Sequence, residues 1–156
     1  MKKLLIITAG LFLFSAECFA ASYFIKAPGM SLSPFGGEAN AVTVASKSIS
    51  AGTWYVSAKA NPVNRLIQGT VATGSQDIAR CALYVNSTRV DWSSSHLGDG
   101  PTVGSELLAV ATITNQTRIS VPAGTVRKVS FKCWHDYGVV GQYLDASASL
   151  YIGTAQ

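Results

Sequence analysis

Two stretches of the sequence decide the fold: Ile78–Asn86, which is IARCALYVN, and Thr125–Trp134, which is TVRKVSFKCW. In each stretch apolar residues recur at every second position, which is the period of a β-strand with one buried face. Each apolar face includes a cysteine, Cys81 or Cys133. We therefore predict a disulfide bond in the core, either across two sheets or between neighbouring strands. The residues that share these faces are Cys81, Leu83 and Val85 in the first stretch and Val129, Phe131 and Cys133 in the second.

Similar runs recur along the rest of the chain, and no segment shows the 3.6-residue period of a helix. Gly, Pro, Asn and Ser residues separate the runs, as they do between strands joined by turns. About eight or nine short antiparallel strands predict an all-β fold, namely a β-sandwich of the jelly-roll or another Greek-key type. The further predicted strands are Ala41–Ile49, Thr53–Ala60, Leu66–Thr73, Arg89–Trp92, Glu106–Thr114, Arg118–Val121 and Tyr143–Ile152.

Residues 1–20 have the pattern of a secretory signal peptide. Lys2 and Lys3 precede an uncharged apolar run, and Cys18-Phe19-Ala20 offers small residues where a signal peptidase cleaves. The apolar run is too short to span a membrane, so we expect a secreted or periplasmic protein without stable membrane insertion. Lipidation of Cys18 is the alternative, although Glu17 stands where a lipoprotein signal has a small residue.

Cleavage after Ala20 removes Cys18 and leaves Cys81 and Cys133 as a pair in an oxidising compartment. Two buried free thiols are the alternative to a disulfide. A metal site is disfavoured because the residues near Cys133 that could bind a metal are His135 and Asp136, and the sequence has no C-x-x-C motif. We expect no metal and no other cofactor.

The distribution of prolines and glycines predicts the domain organisation. We expect residues 21–40, which contain two prolines and three glycines, to be an irregular N-terminal segment, and residues 41–156 to be the β-sandwich domain.

Charged residues make up 13% of the chain, and the net charge of +4 becomes +3 without Lys2, Lys3 and Glu17. The sequence has no cluster of Lys and Arg residues that could contact a phosphate backbone, so nucleic-acid binding is not expected.

The order of motifs resembles a known group of proteins. Ala51–Ala58 (AGTWYVSA) is followed by Cys81-x-Leu83 and Arg89-Val90-Asp91, by Val121–Val126 (VPAGTV) before Cys133, and by Ala148-x-Leu150-x-Ile152. This layout resembles the small secreted bacterial β-sandwich proteins with one disulfide, whose functions are mostly unassigned. More distantly it is similar to the jelly rolls of the C1q and tumour-necrosis-factor type, which implies a trimer by analogy only. The resemblance implies a scaffold and no catalytic or binding residues.

Catalytic candidates lie in two places. Asp91, the three serines Ser93–Ser95 and His96 contain the groups of a nucleophilic triad, but they are neighbours in sequence, which favours a solvated turn. His135 and Asp136 could form an acid–base pair, although the end of a strand is the simpler interpretation. We therefore predict that the protein is not an enzyme. The alternative is a small secreted hydrolase or enzyme inhibitor that uses Asp91–His96 or His135 and Asp136.

Aromatic residues are the stronger candidates for binding, because their flat apolar faces suit stacking on sugar rings or contacts with proteins. Trp54 shares the apolar face of its strand and is predicted to lie in the core. Trp92 lies at the end of a predicted strand and Trp134 faces away from Cys133, so both are candidates for exposure. We predict a non-catalytic module that binds a carbohydrate or a protein surface, or a structural component. The candidate binding residues are Trp92, Trp134, Tyr137 and His96.

Overall fold

The computed structural model describes residues 21–32, 36–65, 77–97, 108–136, 142–144 and 147–155. The predicted signal peptide, the predicted strand Leu66–Thr73 and the candidate Tyr137 lie outside these residues. Within the described part of the chain, no helix is long and apolar enough to cross a membrane.

The described residues form strands and one short 3₁₀ helix, Gly37–Asn40. The all-β prediction is therefore confirmed. The strands are β1 Ser22–Lys26, β2 Met30–Ser31, β3 Val42–Ile49, β4 Gly52–Ala60, β5 Pro62–Arg65, β6 Asp77–Val85, β7 Thr88–Leu97, β8 Leu108–Val110, β9 Ile113–Val121, β10 Arg127–His135, β11 Gln142–Leu144 and β12 Ser149–Thr154.

The long strands form two antiparallel four-stranded sheets with the order of a jelly roll. One sheet has the order β1-β12-β4-β9 and the other has the order β3-β10-β6-β7. The chain alternates between the two sheets as it passes from β1 to β3, from β3 to β4, and from β9 through β10 to β12. This arrangement confirms the sandwich prediction, and below we call the two sheets the β4 sheet and the β6 sheet.

A third set of short strands, in the order β2-β11-β5-β8, continues the β4 sheet beyond a break. Each short strand is next in sequence to one strand of the β4 sheet: β2 to β1, β11 to β12, β5 to β4 and β8 to β9. The short strands therefore lie in the same order as the long strands on the other side of the break. Asn61 lies at the break and joins the neighbouring strands through its side chain. Its Nδ2 donates to Ser147 Oγ at 2.6 Å, and its Oδ1 accepts from Thr112 Oγ1 at 3.0 Å. Pro62 follows and has no backbone N–H, which is compatible with an interrupted ladder.

The core lies between the inner faces of the two sheets and contains alternate residues of each long strand. The β4 residues Trp54, Val56 and Ala58 are buried there, as the alternation predicts. The Trp54 indole N–H donates to the Ser50 carbonyl oxygen at 2.9 Å, so the burial of this ring leaves no unpaired donor. From the β6 sheet, Leu83, Phe131 and their neighbours pack against this layer.

Cys81 and Cys133 form a disulfide bond between neighbouring strands of one sheet. They are direct cross-strand partners on β6 and β10, with Cα atoms 4.1 Å apart and an S–S distance of 2.11 Å. Both are fully buried. The structure thus selects the bridge between neighbours and excludes the bridge across the two sheets.

Two predictions about irregular segments are wrong. Residues 22–26 form β1, which pairs with β12 from Ser22↔Gly153 to Lys26↔Ser149, so the segment 21–40 is not irregular throughout. Ser93–His96 are not a solvated turn, because they belong to the ten-residue strand β7. Serine has a low intrinsic strand preference, but pairing with β6 along the whole of β7 decides the conformation here.

Reduction of the disulfide should lower the stability of the purified protein substantially. The two cysteines are 52 positions apart, and the entropy of closing such a loop corresponds to about 4 kcal/mol of unfolding free energy. Urea unfolding with and without a reductant measures this difference. The Cys81→Ala/Cys133→Ala variant is the control, because the reductant should not change its unfolding. Equal stability of the oxidised and reduced wild-type protein would contradict the prediction.

Candidate functional site

Asp91 and Ser93 hold together the edges of the two sheets. They lie on the inner face of β7, opposite the edge strand β9 of the other sheet. Asp91 Oδ2 accepts from the Gln116 backbone N–H at 2.9 Å and from Asn115 Nδ2 at 3.1 Å. Ser93 Oγ donates to the Thr114 carbonyl oxygen at 2.9 Å. These side chains are therefore engaged in closing the sandwich.

The predicted catalytic groups do not come together. His96 is exposed on the outer face of β7, whereas Asp91 points inward. The two residues are five positions apart on an extended strand, which corresponds to about 16 Å. His135 is buried, two positions from Cys133 and thus on the inner face of β10. Asp136 pairs instead with Arg80, with Nε and Oδ2 at 2.7 Å. Among the described residues no group of three or more His, Cys, Asp or Glu could hold a metal ion.

Trp92 is exposed, as predicted, and lies between two arginines on the outer face of the β6 sheet. Its side chain is 48% exposed. The Arg80 and Arg89 guanidinium carbons lie 5.3 and 5.5 Å from the centroid of its ring. Each arginine also binds a carboxylate, because Arg89 Nη1 lies 2.6 Å from Glu38 Oε2 and Arg80 pairs with Asp136. The two cations that contact this ring are therefore already neutralised.

Trp134 faces away from Cys133, as predicted, but it is not available to a ligand. Its side chain is 3% exposed and packs with Ala82 and Tyr84 in a small second cluster under Ala41. The 3₁₀ helix Gly37–Asn40 packs against β10 and covers this part of the outer face. The prediction of an exposed Trp134 is wrong because this segment lies over the sheet.

Tyr84 attaches the covering segment to the sheet. Its hydroxyl donates to Glu38 Oε1, and the Lys132 ammonium lies 4.9 Å from the centroid of its ring. Burial, together with the hydrogen bond to the Glu38 carboxylate, raises the pKa of the Tyr84 hydroxyl. The hydroxyl therefore stays protonated, and able to donate to Glu38, at neutral and moderately alkaline pH.

The outer face of the β4 sheet carries a different aromatic surface that the sequence analysis did not identify. Phe24, Tyr55 and Tyr151 are 70%, 40% and 41% exposed. Phe24 on β1 lies directly opposite Tyr151 on β12, and Tyr55 on the next strand, β4, lies opposite Gly153. The three residues thus lie on three consecutive strands, and we call them the aromatic strip.

Gly153 lets the Tyr151 ring lie along the sheet. A Cβ atom at Gly153 would be 2.5 Å from the Tyr151 hydroxyl oxygen and 3.0 Å from Cζ. The phenol therefore occupies the space that a side chain at position 153 would need. Because Gly153 is the direct partner of Tyr55, the hydroxyl end of Tyr151 extends toward the Tyr55 position.

Polar groups surround the aromatic strip. The Tyr55 hydroxyl donates to Gln116 Oε1 at 2.7 Å, which holds the ring toward β9. Ser57 lies between Tyr151 and Gln116 in the register of the sheet. The described outward positions of the four long strands are otherwise polar residues or glycine: Ser22, Lys26, Thr53, Ser57, Lys59, Thr114, Gln116, Arg118, Ser120, Ser149 and Gly153.

The alternation of inward and outward residues within β1 is the sequence pattern that could have identified Phe24 as an exposed residue. In SYFIK, Tyr23 and Ile25 face the core and Phe24 faces outward, but the prolines and glycines that follow suggested an irregular segment. Tyr55 and Tyr151 were present on the outward positions of predicted strands. Their proximity depends on pairing between β12 and β4, which the sequence pattern does not specify.

Comparisons with known proteins give a likeness of structure only. No protein-family model and no curated protein matches the chain. The VP2 subviral particle of infectious bursal disease virus has a TM-score of 0.46 and 13% identity, over 96% of this chain and 37% of that chain. The Gx strain structure of the same virus has a TM-score of 0.46 and 16% identity, over 86% of this chain and 33% of that chain. This chain thus spans about a third of the neighbours' length, and a likeness of this degree carries no functional conclusion.

Asp91→Ala should destabilise the protein because Asp91 closes the edge between the sheets. The substitution removes the acceptor of the Gln116 N–H and one of the two acceptors of Asn115 Nδ2, the other being Ser93 Oγ at 3.3 Å, which we expect to cost about 1–2 kcal/mol. His96→Ala is the matched control on the same strand, and we expect a change within about 0.5 kcal/mol since this side chain is exposed. Urea unfolding measures both variants. Equal stabilities of the two variants would contradict the structural role of Asp91.

Proposed function

We propose that the protein is a secreted, non-catalytic β-sandwich module that binds a carbohydrate chain on the outer face of the β4 sheet. The observation that carries the proposal is the aromatic strip, in which three half-exposed or exposed rings cross three consecutive strands. Secretion is supported by the buried Cys81–Cys133 bridge and by the signal-like pattern of residues 1–20.

The aromatic strip has the chemistry that a sugar chain needs. Sugar rings present apolar C–H faces that stack on aromatic faces, and their hydroxyls need polar partners nearby. Phe24, Tyr55 and Tyr151 supply the faces, and the two tyrosine hydroxyls with Gln116 and Ser57 supply the partners. Strands lie about 4.8 Å apart, so rings on three strands cover about 10 Å across the sheet. This extent favours an oligosaccharide over a single sugar.

The strip is also held in place before a ligand arrives. The Tyr55 hydroxyl is fixed on Gln116, and the Tyr151 ring lies along the strand over Gly153. Binding therefore orders few side chains, which reduces its entropic cost.

A protein partner is the alternative occupant of this face. The core of a protein interface is dry and apolar, whereas only polar residues and glycines flank the aromatic strip on its described outward positions. The composition of the surface therefore favours a hydroxylated ligand. The hydrolase alternative has less support, because Asp91, His96 and His135 lie on different faces or are engaged in the core.

Substitution of the aromatic strip should weaken carbohydrate binding. A glycan array on the purified protein identifies a neutral oligosaccharide, and isothermal titration then compares wild type with Phe24→Ala, Tyr55→Ala and Tyr151→Ala. We expect the affinity of each variant to be about tenfold lower than that of the wild type, which corresponds to the contribution of one stacked ring. Trp92→Ala is the matched control, since it removes an exposed ring from the opposite sheet. A ligand that binds all three variants normally, or binding lost only in Trp92→Ala, would overturn the proposal, as would binding to no glycan.

Gly153→Ala gives a second test that leaves every aromatic residue in place. The added Cβ displaces the flexible end of Tyr151, so we expect a binding loss similar to that of Tyr151→Ala with little change in stability. In the Gly153→Ala/Tyr151→Ala variant the losses should not add, because both act on the same ring. Normal affinity of Gly153→Ala, or fully additive losses, would contradict the assigned position of Tyr151.

A further inference from the structure

One end of the aromatic strip adjoins a cavity of about 410 Å³. The cavity lies between the turn that joins β6 to β7, the second half of β9 and the start of β10. Its walls are residues 85–88, Val90, residues 117–120 and Arg127. Apart from the two arginines, its polar groups are mostly hydroxyls, which come from Ser87, Thr88, Thr117 and Ser120.

The two arginines of the cavity, Arg118 and Arg127, differ from those beside Trp92. Arg80 and Arg89 each pair with a carboxylate at 2.7 and 2.6 Å. Neither Arg118 nor Arg127 has an ion pair within the part of the chain that the structure describes. Counting only the residues that the structure describes, the cavity therefore has two guanidinium groups without an ion-pair partner, and no carboxylate is among its lining residues.

The wall of the cavity is fixed by the β6–β7 turn. Asn86 has a φ of 56°, a left-handed conformation that asparagine tolerates in tight hairpins. Its side-chain Oδ1 accepts from the Lys128 backbone N–H at 3.0 Å, and its own N–H donates to the Lys128 carbonyl oxygen at 2.7 Å. These two bonds join the turn to β10 beside Arg127, so the cavity is formed without a ligand.

The cavity and the aromatic strip share a boundary. Arg118 on β9 is the direct cross-strand partner of Tyr55 on β4, and it also lines the cavity. A ligand that lies along the strip from Phe24 toward Tyr55 therefore reaches Arg118 next. Guanidinium groups bind sulfate and carboxylate oxygens through paired N–H donors, and hydroxyls supply further donors.

We propose that this cavity binds an oxyanion group, a sulfate or a carboxylate, carried by the sugar chain that the aromatic strip binds. The inference rests on the proposed function and narrows its ligand to an acidic oligosaccharide. Arg118 and Arg127 bind the anionic group, and the strip stacks on the neighbouring sugar rings.

Three oligosaccharides of one length and backbone test the inference: unsubstituted, sulfated and carboxylated. In isothermal titration with purified protein, the affinity for an anionic form should be at least about tenfold higher than the affinity for the unsubstituted form. This factor corresponds to the free energy of one charge-assisted hydrogen-bonded contact. The Arg118→Gln/Arg127→Gln variant should lose this preference and keep its affinity for the unsubstituted chain. Arg89→Gln, which removes one positive charge from the outer face of the β6 sheet outside the cavity, should keep the preference. Comparison of the two anionic forms shows which oxyanion the cavity takes.

The outcomes separate the two proposals. Equal affinity for all three oligosaccharides, with binding that needs the aromatic strip, overturns the anion site and leaves the carbohydrate module intact. A preference that persists in Arg118→Gln/Arg127→Gln also overturns the anion site. Anionic binding that needs both arginines but is unchanged in Phe24→Ala and Tyr151→Ala supports an anion site and overturns the role of the strip. Binding to none of the three overturns both.

Discussion

The covalent pairing of β6 with β10 at Cys81 and Cys133 is the constraint on which the faces of this protein depend. Side chains alternate along a strand, so a slip of one residue would exchange the inner and outer faces. The bridge fixes Cys81 opposite Cys133 and thereby fixes that register. Leu83 and Phe131 consequently point into the core, while Tyr84 and Trp134 point outward.

Because the inner faces of both sheets form the core, only the outer faces and the edges of the sheets can bind a ligand. The outer face of the β6 sheet is largely used by the protein itself. Its aromatic residues are covered by the segment Gly37–Asn40 or contacted by arginines that already bind carboxylates. On the outer face of the β4 sheet, by contrast, no described segment covers Phe24, Tyr55 and Tyr151, which are exposed. The difference between these two faces, rather than the number of aromatic residues, identifies the candidate site.

Much of the fold could be predicted from the sequence because it depends on local alternation. The core positions of Trp54, Cys81 and Cys133 follow directly from period-two patterns. The sequence could not show that Trp134 is buried, since a separate segment packs over it. It could not show that Ser93–His96 extend a strand, because pairing with β6 overrides the weak strand preference of serine. The aromatic strip depends on pairing of β1 and β4 with the last strand of the chain, which local patterns do not encode.

The central claim is that the outer face of the β4 sheet binds the ligand, and backbone chemical-shift mapping by NMR tests it most directly. Titration of the ¹⁵N-labelled protein with its oligosaccharide should shift the amide signals of β1, β12 and β4 around the aromatic strip, and then those of β9 near Arg118. Signals around Trp92 on the β6 sheet should stay in place. Shifts confined to the β6 sheet, or no shifts at a saturating concentration of the oligosaccharide, would contradict the account.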